Sequence, residues 1–184
     1  EYGQAHGLSD CTDGSSQTIA FAEALCGDNR RDQNSLYRGN GIMGGGGDPQ
    51  YGDFRATAAS MSDVMNVLAN TCAANFVVGK ATSGNIGDQR GYRWSVGILG
   101  WSLMNVVQTP NGGKYKINTC RGGCNPGCHY DNSLSQPASS NHSGGANILL
   151  ADGSVRFIKD SIAENTWWAL GSPAGGETVS ADSY

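Results

Sequence analysis

The sequence predicts an α+β fold dominated by antiparallel β-sheet, in a single domain of residues 1–184 with two short helices and long glycine-rich loops. Three observations support this prediction. Two strand-like runs flank an Asp-Gly dipeptide near the C terminus, two segments start like helices, and 28 of the 184 residues are glycine. That glycine share is about twice the usual value of roughly 7%, so turns and irregular loops should be abundant.

A β-hairpin is the best-defined element. Asn147–Ala151 and Ser154–Lys159 are short apolar or alternating runs, and Asp152-Gly153 separates them. Asp-Gly suits the positive backbone angles of a type I′ turn, so the sequence predicts a tight two-residue hairpin.

The side chains of this hairpin should alternate between its two faces. Val155 and Phe157 are expected on one face and Arg156 on the other. Upstream, Gly144-Gly145 allows the backbone to bend into the first strand. This places His142 at the start of the hairpin, where we interpret it as a structural hydrogen-bonding residue.

Two helices are predicted from capping boxes, each followed by an apolar pattern. The first begins at Ser60-Met61-Ser62-Asp63 and carries a stripe at helical spacing: Met61, Val64, Met65, Leu68 and Cys72. The second begins at Ser161-Ile162-Ala163-Glu164 and ends at Gly171, before Pro173. Its adjacent tryptophans point about 100° apart, so one should pack on the sheet and the other lie at an edge. The candidate interface residues are Trp167, Trp168 and Tyr2.

Three further strands are predicted from aromatic and β-branched content. They are Thr18–Ala24, Phe76–Gly79 and Trp94–Val107, and Gly112-Gly113 predicts a turn.

The cysteines form an even set in a loop-rich chain, which favours disulfides and an oxidising compartment: Cys11, Cys26, Cys72, Cys120, Cys124 and Cys128. Cys11 with Cys26 is the first pairing we expect, because they flank the Thr18–Ala24 strand, and the other four would form two more pairs. A structural zinc site is the alternative, with the ligand set Cys120, Cys124, Cys128 and His129.

Charge argues against two classes of partner. Twelve Lys and Arg residues against sixteen Asp and Glu give a net charge of −4, and no Lys/Arg cluster occurs. Nucleic-acid and anionic-membrane binding therefore have no electrostatic support. No apolar stretch approaches the roughly 18–20 residues of a membrane span, and no cofactor is predicted.

Several blocks of the chain resemble a known family. His142, nine intervening residues and Asp152-Gly153 match an H-x9-D-G signature, which Ser154–Ile158 follows. The other matching blocks are Thr12–Glu23, Thr109–Asn111, Trp167–Gly171 and Ala174–Ser180. Together they resemble the bacterial prepilin-type, processing-associated H-x9-D-G domain family of pilin-like proteins.

The resemblance implies a non-catalytic structural subunit of an extracellular or cell-surface filament, pilus or pseudopilus. Its partners would be copies of itself in a helical homopolymer, and the secretion or pilus machinery. Members of the family normally begin with a basic leader and a long apolar helix. The residues here start at Glu1-Tyr2-Gly3-Gln4 without that helix. Either the helix was removed or is missing from this sequence, or the chain assembles by another route.

Two other classes of function stay open. A secreted or cell-surface binding module would recognise carbohydrate or protein through exposed aromatic residues: Tyr92, Trp94, Trp101, Trp167 and Trp168. A hydrolase would use His142 as a base oriented by Asp152, with Ser140 or Ser143 as nucleophile. The hydrolase has little support, because the sequence contains no Gly-x-Ser-x-Gly elbow and an aspartate in a hairpin turn usually serves the turn.

Overall fold

The computed structural model of the chain describes residues 7–27, 41–43, 86–87, 90–91, 94–95, 97, 101–115, 120–121 and 133–184. Within them lie seven strands and one α-helix, together with short 3₁₀ segments. The elements are β1 (Ile19–Ala22), β2 (Gly41–Met43), β3 (Ile86–Gly87), β4 (Cys120–Arg121), β5 (Ser133–Ser135), β6 (Gly145–Leu150), β7 (Val155–Lys159) and α1 (Glu164–Leu170). The mixed α+β class is consistent with the prediction.

Strands β1, β6 and β7 form an antiparallel sheet in that order, with β6 in the centre. The predicted hairpin is confirmed, because β6 and β7 pair from Gly145 opposite Lys159 to Leu149 opposite Val155. Strand β1 pairs with the other edge of β6 and lies inside the predicted Thr18–Ala24 segment. A second, four-stranded sheet has the order β3-β2-β4-β5 and contains one parallel pair, β2 with β4.

The turn of the hairpin differs from the type I′ turn that Asp152-Gly153 predicts. The Gly153 amide donates to the Leu150 carbonyl at 3.0 Å, and the Leu150 amide donates to the Ser154 carbonyl at 2.9 Å. Gly153 has a φ of 89°, whereas Asp152 does not have a positive φ. This is a three-residue loop in which a turn is followed by a glycine in the left-handed region.

Asp152 makes local hydrogen bonds that explain why the longer loop is stable. Its Oδ1 accepts hydrogen bonds from the Ser154 hydroxyl at 2.7 Å and from the Ser154 amide at 2.9 Å. These bonds lower the pKa of the exposed Asp152 carboxyl. Asp152 therefore serves the geometry of the turn.

The inner face of the β1-β6-β7 sheet forms the core. Ala146, Ile148 and Leu150 alternate along β6 and are buried, as is Ile158 of β7. They pack with Ala138 and with two residues of α1, Trp167 and Leu170. The predicted alternation in β7 is confirmed by the register, which pairs Arg156 with the buried Ile148 and Phe157 with Asn147, and the face that carries Val155 and Phe157 is exposed to solvent.

Helix α1 ends as predicted, but its start is different. Gly171 is the C-cap, and its amide donates to the last carbonyls of the helix. The N-cap is Ala163, with no side-chain cap, so the capping box predicted at Ser161 is wrong. Ser161 belongs to the turn that leaves β7, in which the Ile162 amide donates to Lys159. Its hydroxyl is therefore too early in the chain to cap the helix.

Two other predicted elements have different outcomes. The strand predicted over 94–107 is wrong for its described residues, since Trp94 and Trp101 lie in turns and residues 104–108 form no strand. The Asn105 Oδ1 accepts from the Gln136 amide at 3.0 Å, so a side chain takes the place of a strand partner there. The turn at Gly112-Gly113 is confirmed by positive φ angles. The predicted helix at 60–72 and the strand at 76–79 lie outside the described residues.

The predicted Cys11–Cys26 disulfide is wrong, because both residues carry free thiols. They are attached to different parts of the chain. Cys11 belongs to the N-terminal turns, whereas Cys26 lies against Gly91. Cys72, Cys124 and Cys128 lie outside the described residues and Cys120 is described only by its backbone, so their pairing stays a prediction.

Among the helices that are described, none has the length and apolarity that a membrane span requires.

The C-terminal segment packs back on the N-terminal turns. The Asp13 carboxylate accepts from the amides of Gly175 at 2.7 Å and Gly176 at 3.0 Å. The Tyr184 hydroxyl donates to the Ser16 carbonyl at 3.2 Å. These contacts attach the C-terminal segment to the turns that precede β1.

Candidate functional site

The residues of the H-x9-D-G pattern lie at both ends of β6. His142 is exposed in the turn before the strand, Gly144 has a φ of 79°, and Gly145 is the buried first residue of the strand. Asp152 and Gly153 form the turn at the far end. The spacing of the pattern is therefore the length of one strand with its two turns.

This arrangement separates His142 from Asp152. The six residues of β6 lie between them, and a strand of that length spans roughly 17 Å. Asp152 binds Ser154 instead, and the His142 ring faces Glu23. A base at His142 oriented by Asp152 is therefore wrong on geometric grounds.

The segment that leads into β6, residues 136–144, is here called the approach loop. Its first half is buried, with Gln136 and Ala138 0% exposed and Ser139 1%. Buried peptide groups need hydrogen-bond partners, and segments distant in the sequence supply them. The Asn105 amide donates to Gln136 at 3.0 Å, the Asn111 amide donates to Ala138 at 2.8 Å, and the Ser139 amide donates to Glu23 at 2.9 Å.

Asn111 contacts the approach loop with its side chain as well. Its Oδ1 accepts from the Ser140 amide at 2.9 Å, and its Nδ2 donates to the Gly145 carbonyl at 3.2 Å. Asn111 has a φ of 57° in the 3₁₀ segment Pro110–Tyr115. Asparagine tolerates this left-handed conformation better than most residues. Asn111 can therefore adopt the backbone angles of the 3₁₀ segment and also hydrogen-bond the approach loop with its side chain.

Glu23 joins β1 to β6 where β1 ends. Its amide donates to the Asn147 carbonyl at 3.1 Å. Its carboxylate accepts from the Asn147 amide at 2.8 Å and from Asn147 Nδ2 at 3.0 Å. The Glu23 carboxylate thus continues the hydrogen bonding between β1 and β6 beyond the last paired residue of β1.

His142 lies over the same carboxylate. Its Nε2 is 3.4 Å from Glu23 Oε1, with 59% of the His142 side chain exposed. Its ring meets Phe157 edge-on, with 6.2 Å between ring centroids, and its amide donates to the Ser140 hydroxyl at 3.0 Å. An exposed pair of this kind contributes about 0–1 kcal/mol, so Asn111 and the backbone bonds contribute more to fixing the loop than the imidazole does.

Lowering the pH is expected to weaken the Glu23 contacts. Burial raises the pKa of Glu23, but hydrogen bonds from Asn147 and Ser140 and the charge of His142 outweigh it and hold the pKa below 4.5. A depressed folded-state pKa gives stability that is present above the unfolded value and lost as the pH falls through the folded value. In urea denaturation, wild type should be more stable than Glu23→Gln at neutral pH. This difference should shrink below pH 4.5, and a difference independent of pH would contradict the prediction.

Arg90 supports the approach loop from the core side. It is 3% exposed. Its guanidinium donates to the Pro137 carbonyl at 2.6 Å and to the Ser139 hydroxyl at 3.3 Å. Burial lowers the pKa of Arg90 to about 10, so the group remains a cation at neutral pH.

Three blocks that the sequence singled out therefore meet at one place. Glu23 ends the first block, Asn111 ends the second, and His142 begins the third, near the end of the approach loop. We call the group Glu23, Asn111, Ser140, His142 and Asn147 the polar junction. Of these, the sequence analysis predicted a structural role for His142. Glu23 and Asn111 lay within matching blocks, but no role was predicted for either residue. Arg90 and Asn105 carried no sequence signal, because their hydrogen-bond partners lie far along the chain.

The candidate interface residues divide between core and surface. Trp167 is 0% exposed, and its indole donates to the Gln108 carbonyl at 2.7 Å. The interface role predicted for Trp167 is therefore wrong, because the residue is part of the core. Trp168 is half-buried and donates to the Val107 carbonyl at 3.3 Å. Tyr2 lies outside the described residues.

The reserve zinc ligands cannot be placed as a group. Cys124, Cys128 and His129 lie outside the described residues, and for Cys120 only the backbone of β4 is described. In the part of the chain that the structure describes, no three His, Cys, Asp or Glu side chains are grouped as metal ligands would be.

Comparison with known proteins gives one match. Residues 1–165 match the model of a family described as proteins of unknown function, DUF1559. No curated protein and no solved structure matches the chain. Because the family model covers most of the sequence, this chain belongs to the DUF1559 family, which is a bacterial prepilin-like family.

Proposed function

We propose that this chain is a non-catalytic structural subunit of a bacterial extracellular filament, pilus or pseudopilus, which assembles with copies of itself. Membership of a prepilin-like family supports the proposal. So does the H-x9-D-G spacing, which we assign to the prepilin-type, processing-associated domains. The domain would act as a pilin-like head at the cell surface, in contact with secretion or pilus machinery during assembly.

One structural observation carries the proposal. The sheet β1-β6-β7 exposes large apolar side chains on the face opposite the core: Phe21 is 72% exposed, Val155 62% and Phe157 46%. Grouped apolar side chains of this kind are typical of interaction sites, whereas single exposed apolar residues are common on any surface. A subunit that packs against its neighbours would bury this face.

The chemistry of the polar junction also favours a structural role. The Glu23 carboxylate accepts two hydrogen bonds from Asn147 and faces His142. A serine nucleophile would need an imidazole on its hydroxyl, whereas the His142 Nε2 lies 3.4 Å from Glu23 Oε1 and the Ser140 hydroxyl accepts from the His142 amide. The junction thus uses its polar groups to hold a strand, a loop and a turn together.

The alternative, a binding module that uses exposed aromatic residues, has less support. Trp101 and Trp167 are buried, with 6% and 0% exposure. Trp94 is 81% exposed, but Trp168 of α1 is half-buried and donates to the Val107 carbonyl. Tyr92 lies outside the described residues. The described aromatics proposed for ligand capture therefore do not form one exposed set.

Electron microscopy of the native material tests the proposal. Negatively stained preparations from the cell surface and the medium should contain long fibres of uniform width, and an antibody against this chain should label them along their length. Purified chain with an intact fold that stays monomeric, together with an absence of labelled fibres, would contradict a filament subunit.

A further inference from the structure

Asn111 and Gly112 form an Asn-Gly dipeptide at the point where the 3₁₀ segment anchors the approach loop. Asn-Gly occurs twice in the sequence, at Asn40 and Asn111, and Asn40 lies outside the described residues. Glycine has no side chain to shield its amide nitrogen, so this nitrogen can attack the side-chain carbonyl carbon of the preceding asparagine. The dipeptide is therefore chemically able to lose its side-chain amide.

The reaction balances with water as its only co-reactant. The Gly112 nitrogen bonds to Asn111 Cγ, the Cγ–Nδ2 bond breaks, and Nδ2 leaves as ammonia with the proton that the Gly112 nitrogen gives up. Water then opens the five-membered imide at one of its two carbonyls. Opening at one carbonyl gives aspartate, and opening at the other gives isoaspartate, in which the main chain runs through Cγ.

The native backbone holds the two reacting atoms apart. Asn111 has a φ of 57° and a ψ of 27°. In this left-handed conformation Cβ lies close to the residue's own carbonyl oxygen. The Gly112 nitrogen lies on the opposite side of the same carbonyl carbon, away from Cγ. Ring closure therefore requires Asn111 to leave the left-handed region.

Hydrogen bonds to the approach loop and β6 hold Asn111 in that conformation. Its amide donates to the Ala138 carbonyl at 2.8 Å, and its Oδ1 accepts from the Ser140 amide at 2.9 Å. Its Nδ2, the leaving group, donates to the Gly145 carbonyl at 3.2 Å. Gly112 is buried, which keeps base and water from its nitrogen. The contacts that anchor the loop thus restrain both reacting groups.

We propose that Asn111 is a deamidation site that its contacts with the approach loop protect, so that the modification follows opening of this loop. While the loop is closed, the Asn111 side chain is held and keeps its amide. When the loop separates from Asn111, the backbone is free to rotate and the ring can close. Deamidation therefore accumulates with repeated opening, whether or not the chain forms a filament.

The product cannot restore the anchor. An aspartate at position 111 has no N–H to donate to the Gly145 carbonyl and presents a carboxylate oxygen to it instead. Gly145 is the buried first residue of β6, and loss of a donor to such a group is unfavourable. Isoaspartate also lengthens the main chain within the segment Pro110–Tyr115. Deamidation therefore converts a temporary opening into a lasting loss of the anchor.

Peptide mapping of the full chain tests the site. Folded chain and chain unfolded in guanidinium chloride are incubated side by side at mildly alkaline pH, and fragmentation mass spectrometry of the tryptic peptide Trp94–Lys114 locates the conversion. The unfolded chain should deamidate at Asn111, and the folded chain about a hundredfold more slowly, because opening of a buried, hydrogen-bonded segment is rare. Asn105 in the same peptide is the internal control, since the branched side chain of Val106 hinders attack there. Equal rates at Asn111 in both samples, or no conversion in the unfolded chain, would overturn the proposal.

Two variants test whether opening of the loop is the controlling step. Gly145→Ala displaces the carbonyl that Asn111 Nδ2 binds, because the added methyl group meets the Ile158 carbonyl oxygen. It should speed deamidation of the folded chain by about tenfold. Leu150→Ala is the matched control, because Leu150 is buried at the far end of β6. Its effect per unit of lost stability, measured in urea, should be smaller. Equal acceleration at equal loss of stability would assign the reaction to global unfolding and overturn the proposal.

Asn111→Asp tests the lasting loss of the anchor without waiting for the reaction. In this variant, amide hydrogen exchange over residues 138–141 should be about tenfold faster than in wild type, as expected for the loss of one buried hydrogen bond. Exchange at Leu149, at the other end of β6, should be unchanged. Wild-type exchange over residues 138–141 would show that the amide does not hold the loop, and the protection proposed here would be rejected.

Discussion

Replacement of Trp167 by alanine is expected to lower the free energy of unfolding by about 3–5 kcal/mol. Trp167 is fully buried and belongs to the core cluster of the β1-β6-β7 sheet. Removal of the indole leaves a cavity in this cluster, and the surrounding residues relax into it only in part. A loss of this size is a large fraction of the stability of a typical domain.

The indole N–H contributes separately from the volume of the ring. It donates to the buried Gln108 carbonyl at 2.7 Å. Trp167→Phe keeps most of the apolar volume and leaves that carbonyl without its donor, which costs about 1–3 kcal/mol. Trp168→Phe is the matched control, because Trp168 is half-buried and its bond to Val107 is longer, at 3.3 Å.

Urea denaturation of the three variants checks this prediction. The expected order of destabilisation is Trp167→Ala, then Trp167→Phe, then Trp168→Phe. Equal effects of the two phenylalanine variants would contradict the assignment of Trp167 to the core and Trp168 to its rim.

Replacement of Gly145 by alanine is expected to destabilise the fold by about 1–3 kcal/mol. A methyl group at this position would meet the Ile158 carbonyl oxygen and the ring of Phe157, which covers the glycine. The carbonyl belongs to the paired strand β7, so the backbone must move to make room. The expected result is a weaker pairing at the start of β6.

Gly144 is the matched control, because the neighbouring glycine is needed for a different reason. Gly144 has a φ of 79°, and a methyl group there would meet nothing within 4 Å. Gly144→Ala should therefore cost only the backbone strain, about 1 kcal/mol. Urea denaturation, with amide hydrogen exchange at Ala146 and Asn147, separates the two effects. Faster exchange in β6 for Gly144→Ala than for Gly145→Ala would show that crowding is not the cause.

The sequence predicted elements whose signals are local. The β6-β7 hairpin, the alternation along β7 and the end of α1 at Gly171 follow from strand periodicity, turn residues and a helix stop within a few positions. The two wrong predictions, the type I′ turn and the Ser161 cap, also rested on local sequence signals. Asp152-Gly153 suits type I′, but the Ser154 bonds to Asp152 and the register of β6 select a longer loop. Serine is a common helix cap, but Ser161 lies in the turn that follows β7, and the helix begins only after Ala163.

By itself, therefore, the sequence determined the central hairpin and its apolar pattern, and its match to the DUF1559 model placed the chain in its family. Only the tertiary structure decided which sheet face became the core, that Trp167 lies inside it, and that Cys11 and Cys26 do not pair with each other. It also decided that Glu23 holds Asn147, 124 positions along the chain. The physical reason is that these outcomes depend on contacts between distant segments. Such contacts form because they bury apolar groups and satisfy hydrogen bonds in the complete fold, so a short sequence pattern cannot predict them.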